Sequence, residues 1–206
     1  MRQAGPIRKH VPNMYSTARA LCCPLIYALY ESFGYATWWQ RLLVLAVYGA
    51  GAGTDYLDGD YARRWNCRTK LGAFIDPAAD KLLAWAGLGI LWAEFPAWQP
   101  YLLFVYAPIA FYDLSTTLVR LVQACGVPPT FETGPTAKER TFIMQGVLCL
   151  FLLLELVCTF VEAHILADAV VTIFAFGGLL LIVVWTLRSG YEYFSSLVGW
   201  TPSATG

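Results

Sequence analysis

Asp55-Tyr56-Leu57-Asp58-Gly59-Asp60-Tyr61-Ala62-Arg63, then eight intervening residues, then Gly72-Ala73-Phe74-Ile75-Asp76-Pro77-Ala78-Ala79-Asp80: the fold turns on this stretch. Its acids stand between long apolar runs, Leu42 to Gly53 on one side and Leu82 to Trp92 on the other. Carboxylates at membrane depth cost several kcal/mol unless they face a cavity, a cation or a partner. Asp55 and Asp58 are three residues apart, which places them about 60° apart on one helical face. Asp76 and Asp80 are four apart, again on one face. A short connection can bring the two faces together.

The composition around this stretch excludes an ordinary soluble domain. Of 206 residues, 58% are hydrophobic and only 14% charged, with a mean hydropathy of +0.53, the profile of a bilayer protein. A crossing helix needs about 20 apolar residues. The runs at 15–34, 38–57, 72–94, 99–122, 139–162 and 167–195 meet that length and predict an all-α bundle of six transmembrane helices. Residues 1–14 are read as an interfacial segment, 15–198 as the membrane domain and 199–206 as a frayed tail. The basic start is not read as a cleaved signal, because Arg19 interrupts the apolar run behind it.

Net charge is zero, which gives no reason to expect nucleic acid. Lys and Arg fall on alternate connections: Arg2, Arg8 and Lys9; then Arg63, Arg64, Arg68 and Lys70; then Lys138 and Arg140; then Arg188. The positive-inside rule therefore predicts that both termini and the acidic stretch are cytoplasmic, as in a bacterial inner membrane or its equivalent. Arg41 falls toward the other face, beside Trp38 and Trp39. The six cysteines lack C-x-x-C spacing and read as structural thiols.

Four acids meeting in a low-dielectric site repel one another, which proton uptake or bound cations must relieve. Oxygen-only donors point to Mg²⁺ or Mn²⁺, with coordination positions left for substrate phosphate. Gly59, Ala62 and Gly72 are small enough for close approach, and Arg63 offers a planar fork suited to phosphate. Asp60 lies off the three-four spacing and reads as a loop charge. Two other readings stay open on spacing alone: solvated helix-end charges, and a cation transporter lining its cavity with aspartates.

Asp55, Asp58, Gly59, Ala62, Arg63, Gly72, Asp76 and Asp80 match every fixed position of D-x-x-D-G-x-x-A-R-x8-G-x3-D-x3-D, and the chain thereby resembles the CDP-alcohol phosphotransferase family. The run Leu71 to Lys81 is similar to its phosphatidylglycerophosphate synthases and related cardiolipin synthases. Pro12-Asn13-x-x-Ser16-x-x-Arg19, Lys138-x-Arg140-Thr141 and Thr186 to Phe194 extend the likeness over most of the chain. It departs where the subgroup reads R-E-x3-[ST]-x2-R, since here Tyr112-Asp113-x3-Thr117-x2-Arg120 lacks the first arginine.

The resemblance implies a homodimeric six-helix enzyme that joins a phosphatidyl group from CDP-diacylglycerol to an alcohol, with two divalent ions, Mg²⁺ or Mn²⁺. It implies Asp55, Asp58, Asp76 and Asp80 as metal ligands and Asp80 as general base. Asn13, Ser16, Asp58, Gly59, Ala62, Arg63 and Gly72 would receive CDP-diacylglycerol. Asp113, Thr117, Arg120, Lys138, Arg140 and Thr141 would receive the acceptor; from spacing alone, Asp113 lies seven residues before Arg120 on nearly the same helical face and is read as orienting it. Glycerol 3-phosphate is the expected acceptor, ahead of phosphatidylglycerol and an inositol phosphate.

Overall fold

The computed structural model describes residues 11–33, 35, 37–65, 70–124, 135–160 and 164–197. Within them the side chains of residues 11–16, 33, 55–75, 124, 135, 164, 165 and 197 are not described. Six α-helices follow in order: α1 (Val11–Phe33), α2 (Trp38–Trp65), α3 (Lys70–Glu94), α4 (Gln99–Ala124), α5 (Pro135–Cys158) and α6 (His164–Leu197). A 3₁₀ turn, Pro96–Trp98, joins α3 to α4. No strand occurs among the described residues.

The predicted runs and the observed helices coincide in number and order, and differ at their ends. α1 begins at Val11, four residues before the predicted run. α2 extends to Trp65, which puts Asp60 on a helix instead of in a loop. No proline stands between Asp55 and Trp65 to stop the helix. A helix can run on from apolar into polar residues without ending, because its backbone bonds are internal.

α3 is the pivot of the bundle, packed against α1, α2, α4 and α5. α1 lies against α2 and α3, α5 pairs with α6 and α2, and α6 closes on α4. The core threads through the middle of the helices with Ile26, Tyr48, Leu83, Leu88, Leu148 and Leu152. α5 and α6 approach closely at Gly178, where a Cβ would come within 2.5 Å of Val147 Cγ1.

Long apolar side chains also face outward, Phe104, Phe142 and Ile173 being 82%, 80% and 73% exposed. Such an exterior needs lipid around it, since soluble proteins rarely show large continuous apolar patches. By length and composition three helices qualify as membrane-crossing over the described residues: Pro96–Gln123, Thr136–Cys158 and Leu166–Ser196. The protein is therefore a multi-pass membrane protein. α1 and α3 carry charges inside their length, Arg19 in one and Asp76, Asp80 and Lys81 in the other.

Polar side chains gather at two levels of the bundle. One holds Arg19, Asp80, Lys81, Asp113 and Arg140, linked by hydrogen bonds. The other holds Tyr30, Tyr35, Arg41, Glu94 and Glu155. On α3 the levels are marked by Asp80 and Glu94, about 21 Å apart at 1.5 Å per residue.

Candidate active site

The site is built on the first turns of α3. Asp76 and Asp80, both half-buried, stand one turn apart, and Lys81 follows directly. Asp80 is ion-paired to Arg19 of α1. The Arg19 side chain is 1% exposed, and its Nε also donates to Gly51 O at 3.1 Å and Thr54 Oγ1 at 3.2 Å on α2. One guanidinium thus joins three helices, and it touches α2 at the residue directly before Asp55.

Lys81 points the other way, toward α4. Its Nζ donates to Asp113 O at 2.8 Å, Thr116 Oγ1 at 2.6 Å and Thr117 Oγ1 at 2.8 Å. An ammonium has three protons, and three acceptors take them. Lys81 therefore straps α3 to α4; it neither snorkels to the interface nor stands loose beside the aspartates.

Behind the strap lies a buried ion pair. Arg140 Nη1 donates to Asp113 Oδ1 at 2.8 Å, with the side chains 2% and 6% exposed. Trp85 Nε1 donates to Asp113 Oδ2 at 3.1 Å, and Arg140 Nε donates to Thr186 Oγ1 at 2.9 Å. The Arg140 guanidinium also lies 4.5 Å from the Tyr112 ring centre, a distance at which a cation is attracted to an aromatic face. Tyr112 and Ser189 share a hydrogen bond of 2.6 Å. Arg140 Nη2 is buried without a hydrogen-bond partner among the described residues.

This arrangement corrects one expectation. Asp113 orients Arg140 from α5, not Arg120 on its own helix. Seven residues along a helix bring two side chains near one face but about 10 Å apart along the axis, whereas α5 offers a guanidinium directly opposite. Arg120 is half-buried, and its electrostatic neighbours are Tyr112, Tyr193 and Asp80. It makes no ion pair with a described residue. Thr117 lies in the strap, also donating to Asp113 O at 2.6 Å. Thr141 donates to Ala137 O within α5 at 3.1 Å, and Lys138 is exposed.

The structure brings together Asp80, Asp113, Thr117 and Arg140 of the sequence-predicted set, with Arg120 beside them. The side chains of Asn13, Ser16, Asp55, Asp58, Gly59, Ala62, Arg63 and Gly72 lie outside the described residues. Among the described residues no three His, Cys, Asp or Glu side chains gather to hold a metal; the signature contributes only Asp76 and Asp80 to that set. Both are oxygen donors, which suits a hard divalent ion. Arg19 links Thr54, the residue before Asp55 on α2, to Asp80 on α3, and the oxygen donors described on α3 are of the kind such an ion takes.

Sequence reasoning missed the Arg19–Asp80 pair, although a basic residue inside an apolar helix is a signal that it has a partner. Glu155 had no assigned role; it pairs with Arg41 at 3.1 Å across α2 and α5. Cys22, Cys23, Cys149 and Cys158 are free thiols, as expected.

A membrane bundle, helical throughout its described core, with acids and bases interlocked around the start of its central helix, is compatible with an enzyme or a transporter of the bilayer. The choice is made by the match to a family model: the chain belongs to the CDP-alcohol phosphatidyltransferase family over residues 9–180. Among its relatives, the cardiolipin synthase (CMP-forming) of Streptomyces coelicolor is 36% identical over 149 residues, 69% of this chain and 65% of that protein. The CDP-diacylglycerol–glycerol-3-phosphate 3-phosphatidyltransferase of Pseudomonas fluorescens is 35% identical over 96 residues, 43% of this chain and 47% of that one. The second Arabidopsis thaliana enzyme of that name is 36% identical over 81 residues, 39% of this chain and 34% of its own length. The chain thus spans from 34% to 65% of the length of these relatives. No solved structure matches it significantly.

Proposed function

We propose that the protein transfers a phosphatidyl group from CDP-diacylglycerol to the hydroxyl of glycerol 3-phosphate, releasing CMP and forming phosphatidylglycerophosphate. One observation carries this reading: a chain that matches the family over residues 9–180 keeps all eight signature positions, from Asp55 to Asp80. In the proposed enzyme six helices span the membrane, two copies associate, and the acids face the cytoplasm.

Asp55, Asp58 and Asp76 would hold the divalent ions, two Mg²⁺ or Mn²⁺, with Asp80 contributing. Bound there, they supply positive charge that offsets the diphosphate as CMP departs. Arg63, Asn13 and Ser16 bind the cytidine diphosphate portion, and Gly59, Ala62 and Gly72 leave it room. The acceptor hydroxyl attacks the phosphatidyl phosphorus, the bond from that phosphorus to the CMP oxygen breaks, and Asp80 accepts the hydroxyl proton. Arg120, already half-buried beside Asp80, meets the acceptor phosphate, with Lys138 and Thr141 nearer its rim. Asp113, Thr117 and Arg140 shape that pocket from behind.

A second acceptor has an observation in its favour. The relative matched over 149 residues is named a cardiolipin synthase, and Tyr112 stands where phosphatidylglycerophosphate synthases carry an arginine. An acceptor panel decides between them. Purified protein with CDP-diacylglycerol and Mg²⁺ or Mn²⁺ is expected to release CMP with glycerol 3-phosphate and yield phosphatidylglycerophosphate. Cardiolipin from phosphatidylglycerol, with no product from glycerol 3-phosphate, would select the second reading. No CMP release with any acceptor, together with metal uptake into liposomes, would replace both by a transporter.

A further inference from the structure

Arg19 has no part in the transfer described above, yet its guanidinium is the meeting point of the two acidic helix ends. It lies inside α1, is 1% exposed, and pairs with Asp80 on α3. From the same position it donates to Gly51 O and Thr54 Oγ1 on α2. Gly51 is one turn before Asp55, and Thr54 is its neighbour. A planar guanidinium with several fixed donors holds such partners at a set separation and angle, which a flexible ammonium does not.

We infer that Arg19 is a positioning residue for phosphatidyl transfer: it fixes the distance between the acid-bearing ends of α2 and α3 and orients the Asp80 carboxylate. The inference rests on the role proposed for Asp80. Arg19 need touch neither substrate. α3 is held from both sides by consecutive residues, Asp80 toward α1 and α2 and Lys81 toward α4. The turn carrying the proposed base therefore has little freedom to rotate while both contacts stand. Removing Arg19 removes the first of these two contacts.

The test compares Arg19→Gln and Arg19→Lys with the wild-type protein in detergent, reading kcat, KM for CDP-diacylglycerol and thermal midpoint. A misplaced reacting group lowers kcat with little change in KM, and a displacement near 1 Å can cost about a hundredfold. Arg19→Gln is expected to lose about that much kcat while its KM stays within about twofold. Arg19→Lys keeps the charge but not the planar geometry and is expected to recover to about tenfold below wild type. Arg41→Gln is the control, because it breaks a half-buried pair at the other level of the bundle and is expected to lower the thermal midpoint without lowering kcat.

If Arg19→Gln does not fold, Arg19→Lys carries the test alone: a tenfold lower kcat at unchanged KM supports the inference, and wild-type kcat overturns it. Wild-type kcat in Arg19→Gln, with less metal needed for activity, also overturns it and makes Arg19 only a counter-ion. A parallel loss of kcat in Arg41→Gln reduces Arg19 to a general structural contact. Failure of the wild-type protein to release CMP would instead remove the proposed function itself.

Discussion

Arg140 of α5 and Asp113 of α4 form an ion pair of 2.8 Å in which both side chains are almost wholly withdrawn from solvent. Thr186 and Trp85 take up neighbouring valences of the pair. A buried pair seldom stabilises more than an apolar packing of similar volume, but losing one partner strands a charge. Asp113→Ala is therefore expected to cost about 3–5 kcal/mol of stability. The double variant Asp113→Leu/Arg140→Met should recover most of it. Thermal unfolding of both in detergent checks this, and equal losses in the two variants would contradict the pairing.

Lys81 makes three hydrogen bonds to α4. The two threonines keep bonds to their own backbone after its removal, so the cost should be moderate. Lys81→Met is expected to lose about 1–3 kcal/mol. Lys81→Arg should not restore it, because the planar fork cannot reach three acceptors grouped around a single nitrogen. Melting curves that leave Lys81→Arg at wild-type stability would count against the strap.

Adjacent glycines on α6 give a second test of packing. A Cβ at Gly178 meets Val147 Cγ1 at 2.5 Å, whereas a Cβ at Gly177 meets nothing within 4 Å. Val147 is on a helix, where one rotamer dominates, so it cannot simply turn aside. Gly178→Ala is expected to destabilise by about 1–3 kcal/mol through overpacking. Gly177→Ala should be neutral or gain up to about 1 kcal/mol from helix propensity. The order of their thermal midpoints is the measurement.

Asp80→Asn removes the proposed base and keeps the side chain's shape. It is expected to lower CMP release by at least about a hundredfold, within the range for general base catalysis. Asp60→Asn, off the signature, should retain most activity although Asp60 lies on α2, two residues after Asp58. Comparable loss in both would show that the acidic face has been drawn wrongly.

Chelation should abolish CMP release, and added Mg²⁺ or Mn²⁺ should restore it without refolding, because the described core is held by packing and hydrogen bonds. Activity that survives exhaustive chelation would remove the divalent ion from the proposed chemistry.

The sequence made the helices legible because their evidence is local. About 20 apolar residues between turn signals mark a crossing whatever lies around it. Helix ends were less legible, and α2 shows why: polar residues after Asp58 look like a loop, yet they form more helix, since a polar surface alone does not break a helix. Within the site, Asp76 and Asp80 were found by their spacing on one helix. The partners of those acids were not. Arg19–Asp80 spans 61 residues and Arg140–Asp113 spans 27, and no periodicity connects positions on different helices. The same-helix pairing expected between Asp113 and Arg120 lost to a neighbour that only packing could supply.

The pairing of Arg41 with Glu155 bears on how the chain is assembled. The two residues are 114 positions apart, and the acid lies on one of the three helices long and apolar enough to cross a membrane. During synthesis the arginine is made first, on α2 beside Trp38 and Trp39. The contact therefore cannot form until α5 has been added to the bundle, so it ties an early portion of the chain to a late one.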